Sequence, residues 1–248
     1  MNQLAFSFTA ERPLRVLIAC ECSGVVRRAF DALGHDVWSV DKKPAEDRSN
    51  RHITGDVRDY LNDGWDLMAV MHPPCTRLCN SGVRWLDRPP KNPPADCTDE
   101  EAAIWPHLSE KEQLEMIWQH LRAGADLFSD CWNAPIERIA VENPVMHRHA
   151  KALIRNFEPQ AQSVQPWHFG TDEDGPDNER KRTCLWLKGL PQLQRTGTLD
   201  GTTARSSVHH ASPGENRATE RSRFFPGMAA AMAAQWGGYA LDQSQLAA

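Results

Sequence analysis

Several absences narrow the sequence before any motif is considered. No apolar run approaches the roughly 20 residues that a membrane-spanning helix needs, and the opening Met1-Asn2-Gln3-Leu4 lacks the basic start and apolar core of a secretory signal. The seven cysteines are odd in number and scattered, and no two are spaced as Cys-x2-Cys. That pattern predicts neither a disulfide framework nor a metal site, and it suits a protein of a reducing, cytoplasmic compartment with no membrane partner. No internal repeat is present. No Gly-x-Gly-x-x-Gly follows the first apolar run, which argues against a nicotinamide-dependent enzyme. The net charge of −5 argues against indiscriminate nucleic-acid binding. Charge is nonetheless uneven: Asn178 to Arg223 carries nine Lys/Arg against four Asp/Glu, either a phosphate-facing patch or a solvated face.

What is present reads as α/β. A chain of 248 residues is long enough to bury a core without disulfides or metal. Arg15–Cys20 is an apolar strand, Glu21-Cys22-Ser23-Gly24 a tight turn, and Val25–Leu33 has the apolar spacing of one helix face. Gly34-His35 ends that helix and Asp36–Asp41 is a second strand, completing a right-handed βαβ unit. Further strands are expected at 51–57, 65–71, 136–141 and 184–187. Helices are expected at 113–128, opened by a Ser109/Glu112 capping box, at 150–157 and at 225–236. Residues 86–108 hold five prolines among charged and small residues and predict a mobile, functional loop. Trp65, Trp118, Trp186 and Trp236 fall on apolar faces and are expected in the core.

Two strand ends carry chemistry. Pro73-Pro74-Cys75 closes the apolar run Leu67–Met71, and Val141-Glu142-Asn143-Pro144 closes another. Open α/β sheets hold their ligands at that edge. A thiol adding to C6 of a pyrimidine turns C5 into a nucleophile, and a carboxylic acid at ring N3 takes up the developing charge. Cys75 and Glu142 have the side chains for those two roles. Taken singly, Cys75 also suits a small buried side chain and Glu142 a helix cap.

In this order the motifs resemble those of the DNA cytosine-5 methyltransferase family, in a short form of the phage and prophage type. Pro73-Pro74-Cys75 is similar to the family's nucleophile motif and Glu142-Asn143-Pro144 to its Glu-Asn-Val motif. Asn178-x-Arg180-x-Arg182 is similar to its Gln-x-Arg-x-Arg motif, whose arginines order the active site and steady the flipped base; Lys181 between them leaves the register open by one. The resemblance implies a Rossmann-like, S-adenosylmethionine-dependent methyltransferase sheet with helices on both faces. It also implies double-stranded DNA as partner, with the target base flipped out. Cofactor contacts are implied at Glu21, Ser23 and Gly24 in the first turn and at Pro73. Asp41 is implied for the ribose hydroxyls and Asp56 for the adenine amine. The expected organisation is a catalytic core over 1–187, a reduced target-recognition segment over 188–220, and a C-terminal helix over 221–248 that completes the core. The turn departs from the family in keeping only Gly24, and the recognition segment is short, which predicts a short or relaxed target site. Alternatives stay open: C5 alkylation of a free cytosine nucleotide, amino-methylation of a DNA base, or a non-catalytic binding protein. His72 before the prolines and Cys75 after them disfavour amino-methylation.

Overall fold

The structure is a computed structural model and describes residues 12–207 and 224–246. Residues 1–11, the 208–220 part of the expected recognition segment, and the arginines at 221 and 223 lie outside the described residues. The βαβ unit is β1 (Arg15–Ala19), α1 (Val25–Asp31) and β2 (Asp36–Asp41), followed by β3 (His52–Thr54) and β4 (Leu67–Val70). Then come α2 (Asp99–Ile104), α3 (Glu110–Trp132), β5 (Ile139–Asn143), α4 (Arg148–Leu153), β6 (Gln162–Val164) and β7 (Thr183–Lys188). The described chain closes with α5 (Pro226–Met232), a π-helical stretch at Ala233–Gly237, and α6 (Gly238–Leu246).

The seven strands form one mixed sheet in the order β3-β2-β1-β4-β5-β7-β6. Strands β1 to β5 pair in parallel, while β7 runs antiparallel to both β5 and β6. Both faces are covered, which is why the central strands read as continuous apolar runs rather than as an alternation. Alternate side chains feed two cores. Leu17, Met68, Val70, Ile139 and Val141 pack with Ile117, Leu121 and Phe128 of α3. Val16, Ile18, Leu67, Ala69 and Ala140 pack with Val26 and Phe30 of α1 and with Met228 and Met232 of α5. The fold is therefore α/β and compatible with a Rossmann-like layout. Strand order reverses between β1 and β4, the switch point at whose outer edge such sheets bind ligands. Among the described residues, no helix is long and apolar enough to cross a membrane.

The capping box opens α3 as the spacing predicts: Ser109 Oγ accepts from the Glu112 amide and the Glu112 carboxylate accepts from the Ser109 amide. Segment 86–108 is a correction. It contains α2, with a capping box of its own between Thr98 and Glu101, and a short 3-10 turn at Trp105–His107. Trp105 is fully buried, and Asp96 receives a two-pronged hydrogen bond from Arg77 at 2.7 and 2.6 Å. The prolines masked the Thr98/Glu101 box, a local signal, while the anchor of Asp96, Arg77, lies outside the segment. The short edge strand β6 buries only Val164 and left no alternation to detect.

The stretch after β7 packs on the core. The Trp236 indole donates to the Pro191 carbonyl (3.0 Å), and Gln194 and Gln235 exchange two hydrogen bonds at 2.7 and 2.9 Å. Gly197 lies against Gly170, where a Cβ would come within 2.3 Å of a backbone oxygen.

Candidate functional site

At the end of β4 the ladder stops for a chemical reason. The Met71 amide still donates to Ala19 (2.9 Å), but Pro73 and Pro74 have no N–H to offer. The chain then turns, with the Cys75 carbonyl accepting from the Leu78 and Cys79 amides, both at 3.0 Å. This turn is fastened to the segment leaving β5. The Asn80 amide donates to the Val145 carbonyl and the His147 amide to the Leu78 carbonyl, each at 3.1 Å. His147 Nδ1 accepts from the Ala150 amide, so its proton is on Nε2, which donates to the Arg77 carbonyl at 2.6 Å. These bonds hold the Cys75 turn beside Glu142.

The electrostatics of the pair follow from burial. Glu142 is only 4% exposed, and desolvation pushes its pKa up from 4.5 to about 7, opposed by the charge of Lys181. The Cys75 thiol is pushed up to about 12, first by burial, then by the nearby Glu142 and Cys79, and again opposed by Lys181. His72 Nδ1 lies 3.9 Å from Glu142 Oε2. Burial holds the His72 pKa well below its ordinary value, so the contact is between a neutral imidazole and the carboxyl group. Three buried polar atoms here have no hydrogen-bond partner among the described residues: His72 Nε2 and both side-chain polar atoms of Asn143. Such groups cost about 1–3 kcal/mol each when unpaired.

The arginine pair requires a correction. Arg180 is exposed, and its guanidinium donates to the Gly201 and Thr202 carbonyls at 3.0 and 3.4 Å, away from the acid. Arg182 is exposed as well. The cation that acts on Glu142, Cys75 and His72 is the half-buried Lys181, whose Nζ also lies 5.7 Å from the Phe225 ring centroid. In an extended segment neighbouring side chains point to opposite sides, so a motif of alternate residues faces wholly toward the site or wholly away from it.

A cavity of about 390 Å³ lies at the C-terminal ends of β1 to β4, lined among others by Cys20, Asp41, Gly55, Asp56, His72 and Gly124. His72 thus belongs both to the cavity wall and to the surroundings of Glu142. Of the residues expected to hold a cofactor, Asp41 and Asp56 are on this wall, and Glu21, Ser23, Gly24 and Pro73 are not. Asp41 accepts the Lys43 amide at 2.8 Å through one oxygen. Asp56 takes two hydrogen bonds from the Arg58 side chain, 2.9 and 2.5 Å, which hold its pKa down at about 2. Glu21 is fully buried and works inward, accepting from Ser23 Oγ (2.6 Å) and from the Val26 and Arg27 amides at the start of α1 (3.2 and 3.5 Å). Gly24 has φ +70°, and the place of a Cβ there is taken by Asp47, Arg27 and Arg28, with side-chain atoms at 2.5–2.7 Å. Pro73 is buried. Gly124 and His120 of α3, which complete the wall, carried no signal in the sequence because they reach the cavity only through tertiary packing. A scan against protein-family models matches none to this chain, and no curated protein matches it.

Proposed function

We propose that this protein is an S-adenosylmethionine-dependent methyltransferase acting at C5 of cytosine in DNA, through a covalent bond between Cys75 and C6. The observation that carries the reading is the pairing of a thiol with a buried acid whose pKa of about 7 keeps a proton available at neutral pH, on neighbouring strand ends beside a cavity. The cavity fits the cofactor. Its volume is within the range of small-molecule sites, Asp41 stands at the end of β2, and an unpaired buried nitrogen, His72 Nε2, is on its wall. Asp41 would bind the ribose hydroxyls and the Gly55-Asp56 turn the adenine. When bound, the cofactor supplies an electrophilic methyl group.

The chain's own residues account for the remaining steps. Cys75 loses its S–H proton to solvent and forms the sulfur–C6 bond as Glu142 places its own proton at ring N3, so no full negative charge builds on the ring. Lys181 eases loss of the thiol proton and steadies the carboxylate left behind. After C5 has been alkylated, its proton passes to water as the sulfur–C6 bond breaks, the released thiolate takes a proton from solvent, and the N3 proton passes back to Glu142. A target base must leave the duplex to reach a site this enclosed.

DNA carrying 5-fluorocytosine tests this directly, since fluorine at C5 blocks the final elimination. The wild type with S-adenosylmethionine should form a denaturation-resistant complex, and Cys75→Ala should lower its yield on the order of 10⁴-fold or more, the scale on which losing a nucleophile acts. Absence of any complex on DNA would remove the reading. A second substrate, the free cytosine nucleotide, is favoured by the packing of residues 189–199 onto the core. Trapping by the fluorinated nucleotide alone would select it.

A further inference from the structure

We propose that Cys97, Glu101 and His120 form a mononuclear zinc site that fastens the start of α2 to α3 beside the cavity. This assignment is independent of the methyltransferase reading. The ligand-capable atoms of the three side chains lie within 4.8 Å of one another. Thiolate, carboxylate and imidazole are the donors zinc takes, and three protein ligands with a fourth position left for water is a familiar zinc arrangement.

The surroundings are those of a supported site. Asp96 Oδ2 lies 3.4 Å from His120 Nδ1, and Asp96 is itself held by the fork of Arg77 at 2.7 and 2.6 Å. With zinc on Nε2, the ring proton would sit on Nδ1, where the Asp96 carboxylate stands behind the imidazole to receive it. That Nε2 faces Glu101 Oε1 at 2.9 Å. Without metal, an Nε2 proton donated to Glu101 Oε1 accounts for that contact; zinc would displace this proton and take both atoms as ligands. The neighbouring Cys97 supplies the third ligand that favours the metal. Glu101 is prepared for one bond, because Oε2 accepts the Thr98 amide at 2.8 Å and Oε1 remains for the ion. His120 and Asp96 also line the cavity, which provides an entry path.

The test uses the full chain, stripped with a chelator and titrated with zinc, and with cobalt for its spectrum. The expected result is one equivalent bound per chain, a thiolate-to-cobalt charge-transfer band, and a higher Tm with zinc than without. Cys97→Ser should lose the band, Asp96→Asn should keep it with affinity lowered about 10–100-fold, and Cys79→Ser should match the wild type. His120→Gln provides a second ligand variant, and circular dichroism of each metal-free variant checks that it folds. The proposal is overturned if the wild type binds no stoichiometric zinc, or if Cys97→Ser and His120→Gln both bind as the wild type does. Either outcome would leave His120 as a metal-free contact between Glu101 and Asp96.

Discussion

The two flanks of the β4 end treat their polar groups in opposite ways. On the β1–β3 side the carboxylates are already engaged: Glu21 caps α1, Asp47 binds Arg27 and Arg28, and Asp56 binds Arg58. On the β5 side Glu142 is buried with a raised pKa, and His72 and Asn143 hold unpaired polar atoms. Engaged groups stabilise a shape, whereas unpaired ones lower the stability of the free protein and regain that energy when a ligand supplies the missing bonds. On the proposed reading, the first flank mainly holds its shape, with Asp41 and Asp56 turned to the cofactor, and the second carries the reacting groups.

The sharpest way to break this comparison is Glu142→Gln. It should lower the rate of base modification by about 10²–10⁴-fold, the usual worth of a positioned acid. It should also raise stability at alkaline pH. The folded pKa of Glu142, about 7, lies above its ordinary 4.5, so the stability it contributes is complete below 4.5 and is lost as pH rises through 7. The glutamine variant avoids that loss and should be more stable than the wild type at pH 8 by up to about 3 kcal/mol, with little difference at pH 4. Denaturant melts at the two pH values measure it, and equal stability at both would count against a functional strain at this flank.

A smaller effect separates the two flanks by readout. Glu21→Ala should cost about 1–3 kcal/mol of stability through loss of its cap and buried hydrogen bonds. Asp41→Ala should leave stability within about 0.5 kcal/mol and instead weaken S-adenosylmethionine binding roughly 10–100-fold, the worth of a hydrogen bond to a charged group. Thermal melts and calorimetry with the cofactor distinguish the two. If Glu21→Ala weakened cofactor binding while leaving the melt unchanged, the scaffolding role would be wrong.

The smallest predicted difference is between adjacent residues. Lys181→Met should move the fall in activity associated with Glu142 to higher pH, because Lys181 is what lowers that pKa. Arg180→Met should leave the pH–rate profile in place and cost at most about 1 kcal/mol, since Arg180 is exposed and only ties down the 201–202 turn. The two profiles, measured side by side, show which residue of the motif faces the acid.

Much of the fold was legible because its signals are local. Arg15–Ala19, the turn at Gly24 and the helix after it declare themselves by hydropathy and spacing, as does the Ser109/Glu112 box that starts α3. Cys75 and Glu142 were legible for a related reason: each follows an apolar run, and in a parallel sheet the ends of such runs share one edge. For Arg180 and Arg182 the sequence left the register open by one, with Lys181 between them, since which face of an extended segment meets the acid depends on how β7 is laid against β5. The order in 86–108 was hidden likewise, because Trp105 is buried by the body and Asp96 is held by Arg77 from the Cys75 turn.

Hydropathy and turn chemistry, which act between near neighbours, therefore determined the α/β class, the main elements, and the thiol and acid at the strand ends. Packing decided the rest: that Glu21 serves α1, that Lys181 and not the exposed Arg180 and Arg182 lies near the acid, and that Cys97, Glu101 and His120 meet. Those outcomes depend on contacts between residues far apart in the chain, where burial sets the proton affinity of an acid and a neighbouring element sets which side chain can reach it.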